Sequence, residues 1–237
     1  MNKMIIAIAL ATSVPSGIVT AQGSSDVCES IEVQIPITYQ YLVQLPTGYA
    51  EDSTRKWPLL LFLHGSGERG DDLDQVRKWG PPRIITEGTD LPFVVVSPQC
   101  PIGMGWMPKV LLPLLDKVEN DYRIDPERIV VTGLSMGGRG TWQLAAAAPE
   151  RFAAIAPICG HVNPAIAPQL ANLPTWVFHG MLDEAVDIRA SAEMVNALNE
   201  LEAPVRFTVY PDGDHGAAWK NAYNESGLLD WLLKAKR

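Results

Sequence analysis

The chain has 237 residues, of which 47% are hydrophobic and 19% are charged, and its formal net charge is −8. This length and composition are typical of a globular protein that buries a core without help from metals or disulfides. The acidic balance argues against a nucleic-acid-binding surface, so we expect no nucleic-acid partner.

Residues 1–21 have the pattern of a secretory signal peptide. Lys3 gives a short positive region, residues 4–11 are apolar, and residues 19–21 (VTA) offer a cleavage site. The apolar run is too short to anchor the protein stably in a membrane. We therefore expect a secreted or periplasmic protein with a single domain over residues 22–237.

Three cysteines, Cys28, Cys100 and Cys159, follow this segment. An exported protein can pair two of them, so the sequence leaves open either buried thiols or one disulfide. Their spacing does not resemble that of a zinc site, and no metal is expected.

Strand and helix patterns alternate along the rest of the chain. Predicted strands are residues 39–45, 57–63, 93–96, 129–131, 155–158, 176–178 and 205–210, and predicted helices are 111–122, 139–148, 188–201 and 228–234. This alternation predicts an α/β protein with a mostly parallel, doubly wound sheet covered by helices on both faces. Working residues are expected at the carboxyl ends of the strands.

The segment Gly133-Leu134-Ser135-Met136-Gly137 follows one predicted strand and precedes a helix. A turn this tight aims one side chain outward, and its neighbours must be small because strand and helix approach closely. We interpret Ser135 as a nucleophile.

A serine hydroxyl needs a base to accept its proton. The four histidines are His64, His161, His179 and His215. In doubly wound hydrolases the chain order is serine, acid, histidine. His215, predicted on a loop after the last strand, is the one that follows both the serine and the acidic candidates.

Asp183 is the preferred acid, because it lies on the loop that leaves the penultimate strand. Asp187 is the competitor, although it also suits a capping role before the helix predicted at 188–201. The two assignments remain open at this point.

Two backbone amides are expected to bind the oxyanion. One belongs to Met136, at the start of the helix. The other is assigned to Ser66, and the neighbouring Gly65 and Gly67 are expected to line the substrate site. Glu68 and Arg69 in the same loop are interpreted either as an ion pair that braces it, which is the preferred reading, or as substrate contacts.

The stretches LHGSGERG (63–70), GLSMGG (133–138), HGMLD (179–183) and DGDHG (212–216) resemble those of the α/β-hydrolase superfamily. Within it, the chain is similar to secreted carboxylesterases of the feruloyl esterase, polyhydroxybutyrate depolymerase and phospholipase/carboxylesterase-like branches. Dienelactone hydrolases share the fold but carry cysteine at the nucleophile position, so Ser135 argues against them.

The resemblance implies a Ser135–Asp183–His215 triad that hydrolyses small-molecule or polymer-linked esters without a cofactor. Residues 159–174 are too few for a large lid domain, so an open cleft is expected. Trp106 is the preferred candidate for an exposed aromatic surface that contacts substrate. A serine peptidase on the same fold and a non-catalytic binding module are the alternatives, and the sequence leaves the oligomeric state open.

Overall fold

A computed structural model describes residues 3–5, 30, 36–224 and 227–237. Its strands form one sheet in the order β1-β2-β4-β3-β5-β6-β7-β8. They are β1 Lys3–Ile5, β2 Thr38–Gln44, β3 Trp57–Leu63, β4 Val94–Gln99, β5 Ile124–Leu134, β6 Ala154–Ile158, β7 Thr175–Gly180 and β8 Val205–Tyr210. The β1–β2 and β2–β4 pairs are antiparallel, and all other pairs are parallel.

Helices cover both faces of this sheet. They are α1 Gly80–Thr86, α2 Pro108–Asp121, α3 Met136–Ala147, α4 Arg189–Glu200, α5 His215–Asn224 and α6 Leu228–Lys234. In the fully buried β3, Leu59 and Leu61 pack with α2, α3 and α4, whereas Leu60 and Phe62 pack with α1, α5 and α6. Alternate residues of this continuous apolar strand thus pack into the hydrophobic cores on the two faces of the sheet. This arrangement confirms the predicted α/β-hydrolase fold.

The region between β6 and β7 contains a short 3-10 helix, Pro164–Leu170. This confirms the prediction that no large lid domain is inserted there. In consequence, the carboxyl ends of β5, β7 and β8 are not covered by an insertion at this position.

The prediction for the N-terminal segment is not tested by the fold. Strand β1 lies inside the predicted signal peptide and pairs with β2. The other residues of 1–21, and Cys28, lie outside the described residues, so cleavage stays a prediction. No helix among the described residues is both long and apolar enough to cross a bilayer.

Two helices were not predicted from the sequence. Helix α1 begins with Gly80, Pro81 and Pro82, which look like a turn, but proline is well tolerated in the first turn of a helix. Helix α5 has weak apolar periodicity, and it begins at His215. The prediction that His215 lies on a loop is therefore wrong, since the connection from β8 ends just before it.

Candidate active site

Ser135 occupies the turn between β5 and α3. Its backbone has φ 54° and ψ −115°, a conformation that costs a non-glycine residue free energy. A 2.9 Å hydrogen bond from the Ser135 amide to the Ile158 carbonyl attaches the turn to the end of β6. The surrounding structure thus maintains Ser135 in a strained backbone conformation.

The glycines after Ser135 are required by a close approach of backbone to backbone. A Cβ atom on Gly137 would lie 1.8 Å from the Leu63 carbonyl oxygen, and one on Gly138 would lie 2.4 Å from the Ile158 oxygen. Neither distance leaves room for a side chain. Helix α3 can therefore start directly on the ends of β3 and β6.

The structure brings His215 and Asp183 to Ser135. The Nε2 atom of His215 lies 3.0 Å from Ser135 Oγ, and its Nδ1 atom lies 2.6 Å from Asp183 Oδ2. The His215 side chain is 22% exposed, whereas that of Asp183 is fully buried. Trp219, one turn along α5, packs edge-on against the imidazole at 5.0 Å and limits its rotation.

The loops that carry the acid and the base are joined by backbone contacts. The Leu182 amide donates to the Gly213 carbonyl at 2.9 Å, and the Met181 amide donates to the Tyr210 carbonyl at 2.9 Å. A Cβ atom on Gly180 would lie 2.3 Å from the Gly213 oxygen. These contacts explain why residues 183 and 215 meet although 32 positions separate them.

The Asp183 carboxylate has hydrogen-bond donors on both oxygens. The Ala185 and Val186 amides donate to Oδ1 at 2.9 and 2.8 Å. The other oxygen, Oδ2, faces His215 and also Nε2 of the fully buried His179, at 3.1 Å. Such donors compensate a buried carboxylate for the water it loses.

The sequence analysis set His179 aside as a base and missed its contact with the acid. The Val186 carbonyl lies 2.8 Å from His179 Nε2 and can only accept, so this nitrogen carries a proton. Ser191 Oγ, 2.7 Å from Nδ1, can donate to the remaining lone pair. The sequence did contain one indication of this contact, because His179 lies at the end of a strand and four residues before Asp183.

Asp187 lies apart from this arrangement. Its carboxylate is exposed and accepts hydrogen bonds from the Arg189 amide and guanidinium at the start of α4. These bonds lower the pKa of Asp187 to about 2. The N-cap residue of α4 is Ile188, and the Asp187 side chain accepts from the first amide of the helix, close to the capping role that the sequence analysis considered for it.

The two residues predicted to supply the oxyanion amides lie on separate segments, Met136 at the start of α3 and Ser66 on the loop after β3. No side-chain hydrogen bond caps the start of α3, so the Met136 amide keeps its free donor at the positive end of the helix dipole. Ser66 begins a 3-10 helix on the loop after β3, Ser66–Glu68. Gly65 adjoins the turn, since a Cβ there would lie 2.8 Å from a Leu134 methyl, whereas Gly67 faces open space.

His64 and Trp106 support the loop after β3. The Cys100 amide donates to His64 Nε2 at 3.0 Å, so Nδ1 carries the proton and donates to the Gly65 carbonyl at 2.6 Å. The Trp106 indole donates to the His64 carbonyl at 3.0 Å and is only 5% exposed. The prediction that Trp106 forms an exposed aromatic surface is therefore wrong, because its ring is used to hold this loop.

Burial lowers the pKa of His64 from 6.5 to about 4. The unfolded chain therefore binds a proton at His64 at higher pH than the folded protein does. The contribution of this group to the free energy of unfolding is fully present above pH 6.5 and is lost as the pH falls towards 4. We expect this one group to lower the free energy of unfolding by at most about 3 kcal/mol over that range. Urea unfolding of wild type and His64→Gln at pH 7, 5.5 and 4.5 measures it, and equal pH dependence in both proteins would contradict it.

Glu68 and Arg69 do not form the ion pair that the sequence analysis expected. Glu68 lies 4.0 Å from His64 Nδ1, and burial raises the pKa of its carboxyl group. Arg69 instead places Nη2 2.9 Å from the Met136 sulfur. The interpretation of a bracing pair is wrong, since the two side chains have different partners among the described residues.

Cys100 and Cys159 are buried free thiols. Cys159, Asp183 and His215 have potential ligand atoms within 4.8 Å of one another. Both His215 nitrogens and both Asp183 oxygens already have partners, and burial raises the pKa of the Cys159 thiol far above its usual range. This set is poorly suited to a cation, because a thiol must lose its proton to bind metal. A metal-free site stays a prediction.

Two curated relatives of this chain are named as esterases. It is 25% identical over 166 residues to a probable feruloyl esterase C of Aspergillus terreus, covering 66% of this chain and 59% of that protein. It is 27% identical to a bifunctional acetylxylan esterase/xylanase of Neocallimastix patriciarum, covering 61% of this chain and 21% of that protein. The chain therefore spans less than two thirds of the length of these relatives.

Among solved structures, a thermostable esterase is 31% identical, with a TM-score of 0.75 over 85% of this chain and 60% of that one. A ferulic acid esterase shares the fold at 18% identity, with a TM-score of 0.65 over 84% of this chain and 93% of that one. The dienelactone hydrolase family model matches residues 108–228, just over half of the chain. The inference that Ser135 argues against this family is wrong, because the match includes Ser135. The chain belongs to the dienelactone hydrolase family.

Proposed function

We propose that this protein is an exported serine carboxylesterase that hydrolyses carboxylic esters through an acyl-enzyme on Ser135. The observation that carries the proposal is the hydrogen-bonded series Ser135 Oγ–His215–Asp183, with distances of 3.0 and 2.6 Å. A serine, an imidazole and a buried carboxylate in this order form a nucleophile, a base and the group that orients the base.

In the first half of the reaction, Ser135 Oγ attacks the ester carbonyl carbon while His215 Nε2 takes the hydroxyl proton. Asp183 keeps the Nδ1 proton in place and stabilises the imidazolium. Collapse of the tetrahedral intermediate breaks the bond to the alcohol, which leaves with the proton from His215. Asp183 is suited to this task because the Ala185 and Val186 amides fix its other oxygen.

The negative charge of the intermediate falls on the former carbonyl oxygen. We assign its stabilisation to the Met136 and Ser66 amides, each of which is worth about 3 kcal/mol in such sites. Both amides lie on backbone that neighbouring structure holds in place. Met136 is the first residue of α3, and Ser66 lies on the loop that the His64 side chain supports.

In the second half, water replaces the alcohol. His215 Nε2 takes a proton from this water as it attacks the acyl carbon, and returns the proton to Ser135 Oγ as the acid leaves. No step in this scheme needs a cofactor. The esterase names of the relatives and the N-terminal pattern of residues 1–21 support ester substrates and export.

A panel of substrates tests the proposal. Purified protein is assayed with 4-nitrophenyl esters of increasing acyl length, with methyl ferulate, with an acetylated sugar and with a peptide 4-nitroanilide. We expect turnover of at least one ester class and none of the anilide. Cleavage of the anilide alone would favour a peptidase, and no turnover of any substrate would favour a non-catalytic protein.

A further inference from the structure

The proposed reaction leaves one buried histidine beside its acid without a role. His179 lies near the end of β7, and its side chain is fully buried, as is that of Asp183 four residues later. Its Nε2 atom lies 3.1 Å from Asp183 Oδ2, the oxygen that also lies 2.6 Å from His215 Nδ1. Two imidazoles thus approach one carboxylate oxygen, and His215 is the one that contacts Ser135.

Two hydrogen-bond partners fix the direction and the tautomer of the His179 ring. The Val186 carbonyl lies 2.8 Å from Nε2, and the hydroxyl of Ser191, a fully buried residue of α4, lies 2.7 Å from Nδ1. Because a carbonyl only accepts, Nε2 carries the proton, and Nδ1 of the neutral ring accepts from the Ser191 hydroxyl. The ring therefore presents a protonated nitrogen, and not a lone pair, to the Asp183 carboxylate.

The Val186 peptide extends this effect to the second oxygen of Asp183. The Val186 amide donates to Asp183 Oδ1 at 2.8 Å, whereas its carbonyl accepts from His179 Nε2. His179 thus acts on Oδ2 directly and on Oδ1 through the peptide that it holds. Both effects favour one orientation of the carboxylate, the one that keeps Oδ2 in contact with His215 Nδ1.

The segment that carries the acid has little side-chain packing of its own. In residues 181–187, Asp183 is buried and Val186 is half-buried, but the other residues are exposed. A connection with few buried contacts is expected to open readily. Backbone bonds to the end of β8 and the turn after it attach the first two residues of the segment, and His179 attaches Val186 to β7. Without His179, the part of the segment after the acid would lose this attachment.

We propose that His179 is a positioning residue, whose neutral ring holds the Asp183 carboxylate in the orientation that binds His215. This inference rests on the proposed esterase function and adds a residue to its mechanism. A fully buried side chain does not contact a bound substrate, so His179 acts through Asp183 and His215. Both halves of the reaction use His215. Loss of His179 should therefore lower kcat and leave KM nearly unchanged.

Three variants at this position separate the positioning role from simple packing. His179→Gln can place an amide nitrogen where Nε2 lies and donate to Val186. His179→Asn is one methylene shorter and cannot reach, and His179→Leu fills the space without a donor. We expect kcat for the best 4-nitrophenyl ester to fall roughly 100-fold in His179→Leu and His179→Asn, and less than about tenfold in His179→Gln.

Leu232→Ala is the control for loss of stability alone. Leu232 is buried in α6, in the core on the face of the sheet opposite α4. The cavity should lower the midpoint of thermal unfolding, which is recorded for every variant. We expect its kcat, measured well below that midpoint, to stay within about twofold of wild type.

The proton between His215 Nδ1 and Asp183 Oδ2 gives a readout that does not depend on turnover. A hydrogen bond of 2.6 Å to a carboxylate moves the proton resonance far downfield, and its absence in Asp183→Asn assigns it. We expect this resonance in wild type, Leu232→Ala and His179→Gln. It should move upfield or disappear in His179→Leu and His179→Asn.

Wild-type kcat in His179→Leu would overturn the inference. Equal losses of kcat in His179→Gln and His179→Leu with an unchanged resonance would also overturn it, because the ring would then not act through Asp183. If His179→Leu does not fold, His179→Asn against His179→Gln decides in the same way. Absence of ester turnover in the wild-type protein would remove the esterase proposal, and the resonance alone would then show whether His179 holds Asp183.

Discussion

Replacing Ser135 with alanine should lower ester turnover by roughly four to six orders of magnitude, because no other group can form the acyl-enzyme. The fold should be retained, since the Ser135 hydroxyl faces His215 and not the core. The measurement is kcat/KM for the best 4-nitrophenyl ester of the panel, with the midpoint of thermal unfolding recorded in parallel.

Ser53→Ala is the matched control for this experiment, because Ser53 is exposed on a distant turn. It should keep wild-type turnover. If Ser135→Ala retained turnover within tenfold of wild type, ester hydrolysis would proceed without Ser135, and the proposed mechanism would be excluded.

Replacing Asp183 with asparagine should lower turnover near neutral pH by roughly three to four orders of magnitude. The Ala185 and Val186 amides would orient the asparagine oxygen towards themselves, which leaves its NH₂ group facing His215. His215 Nδ1 must then accept, so its proton moves to Nε2. In that tautomer the imidazole cannot take the proton of Ser135.

Asp187→Asn is the matched comparison, because it makes the same chemical change four residues away. Its carboxylate is bound to Arg189 at the start of α4, so we expect a small loss of stability and turnover within a few-fold of wild type. Steady-state kinetics of the two variants side by side distinguish the assignments. A larger loss in Asp187→Asn would mean that the acid is Asp187.

The position of the candidate site could be predicted from the sequence because it depends on local patterns. A glycine-flanked serine between a strand and a helix specifies one backbone geometry, and the glycines match the contacts of Gly137 and Gly138 with two strand ends. Chain order then restricted the histidine and the acid to a few residues. Parallel strands bring such residues to one edge, whatever their separation in sequence.

The parts that sequence reasoning missed depend on contacts between distant residues. Trp106 follows a strand and has glycine before it, which suggested exposure, but its indole finds an acceptor in the His64 carbonyl 42 positions away. The approach of His179 Nε2 to Asp183 Oδ2, at 3.1 Å, depends on the direction of the His179 ring. Periodicity carries no information on either contact.

The charged residues of the loop after β3 illustrate the same limit. Glu68 and Arg69 are adjacent in sequence, and the need of a buried charge for a partner suggested that they form an ion pair. The buried Glu68 instead lies near His64, and the Arg69 guanidinium reaches the sulfur of Met136. Which charge pairs with which is decided by side-chain directions that follow only from the complete fold.

Covalent labelling with diethyl 4-nitrophenyl phosphate tests the role of Ser135 most directly. This phosphate ester transfers its phosphoryl group to an activated serine and releases one equivalent of nitrophenolate. We expect a single diethylphosphoryl group per chain, located by peptide mass spectrometry on Ser135, with loss of esterase activity in proportion to labelling and slower labelling in Asp183→Asn. Stoichiometric labelling of another residue together with loss of activity, or full activity in a protein labelled at Ser135, would contradict the mechanism.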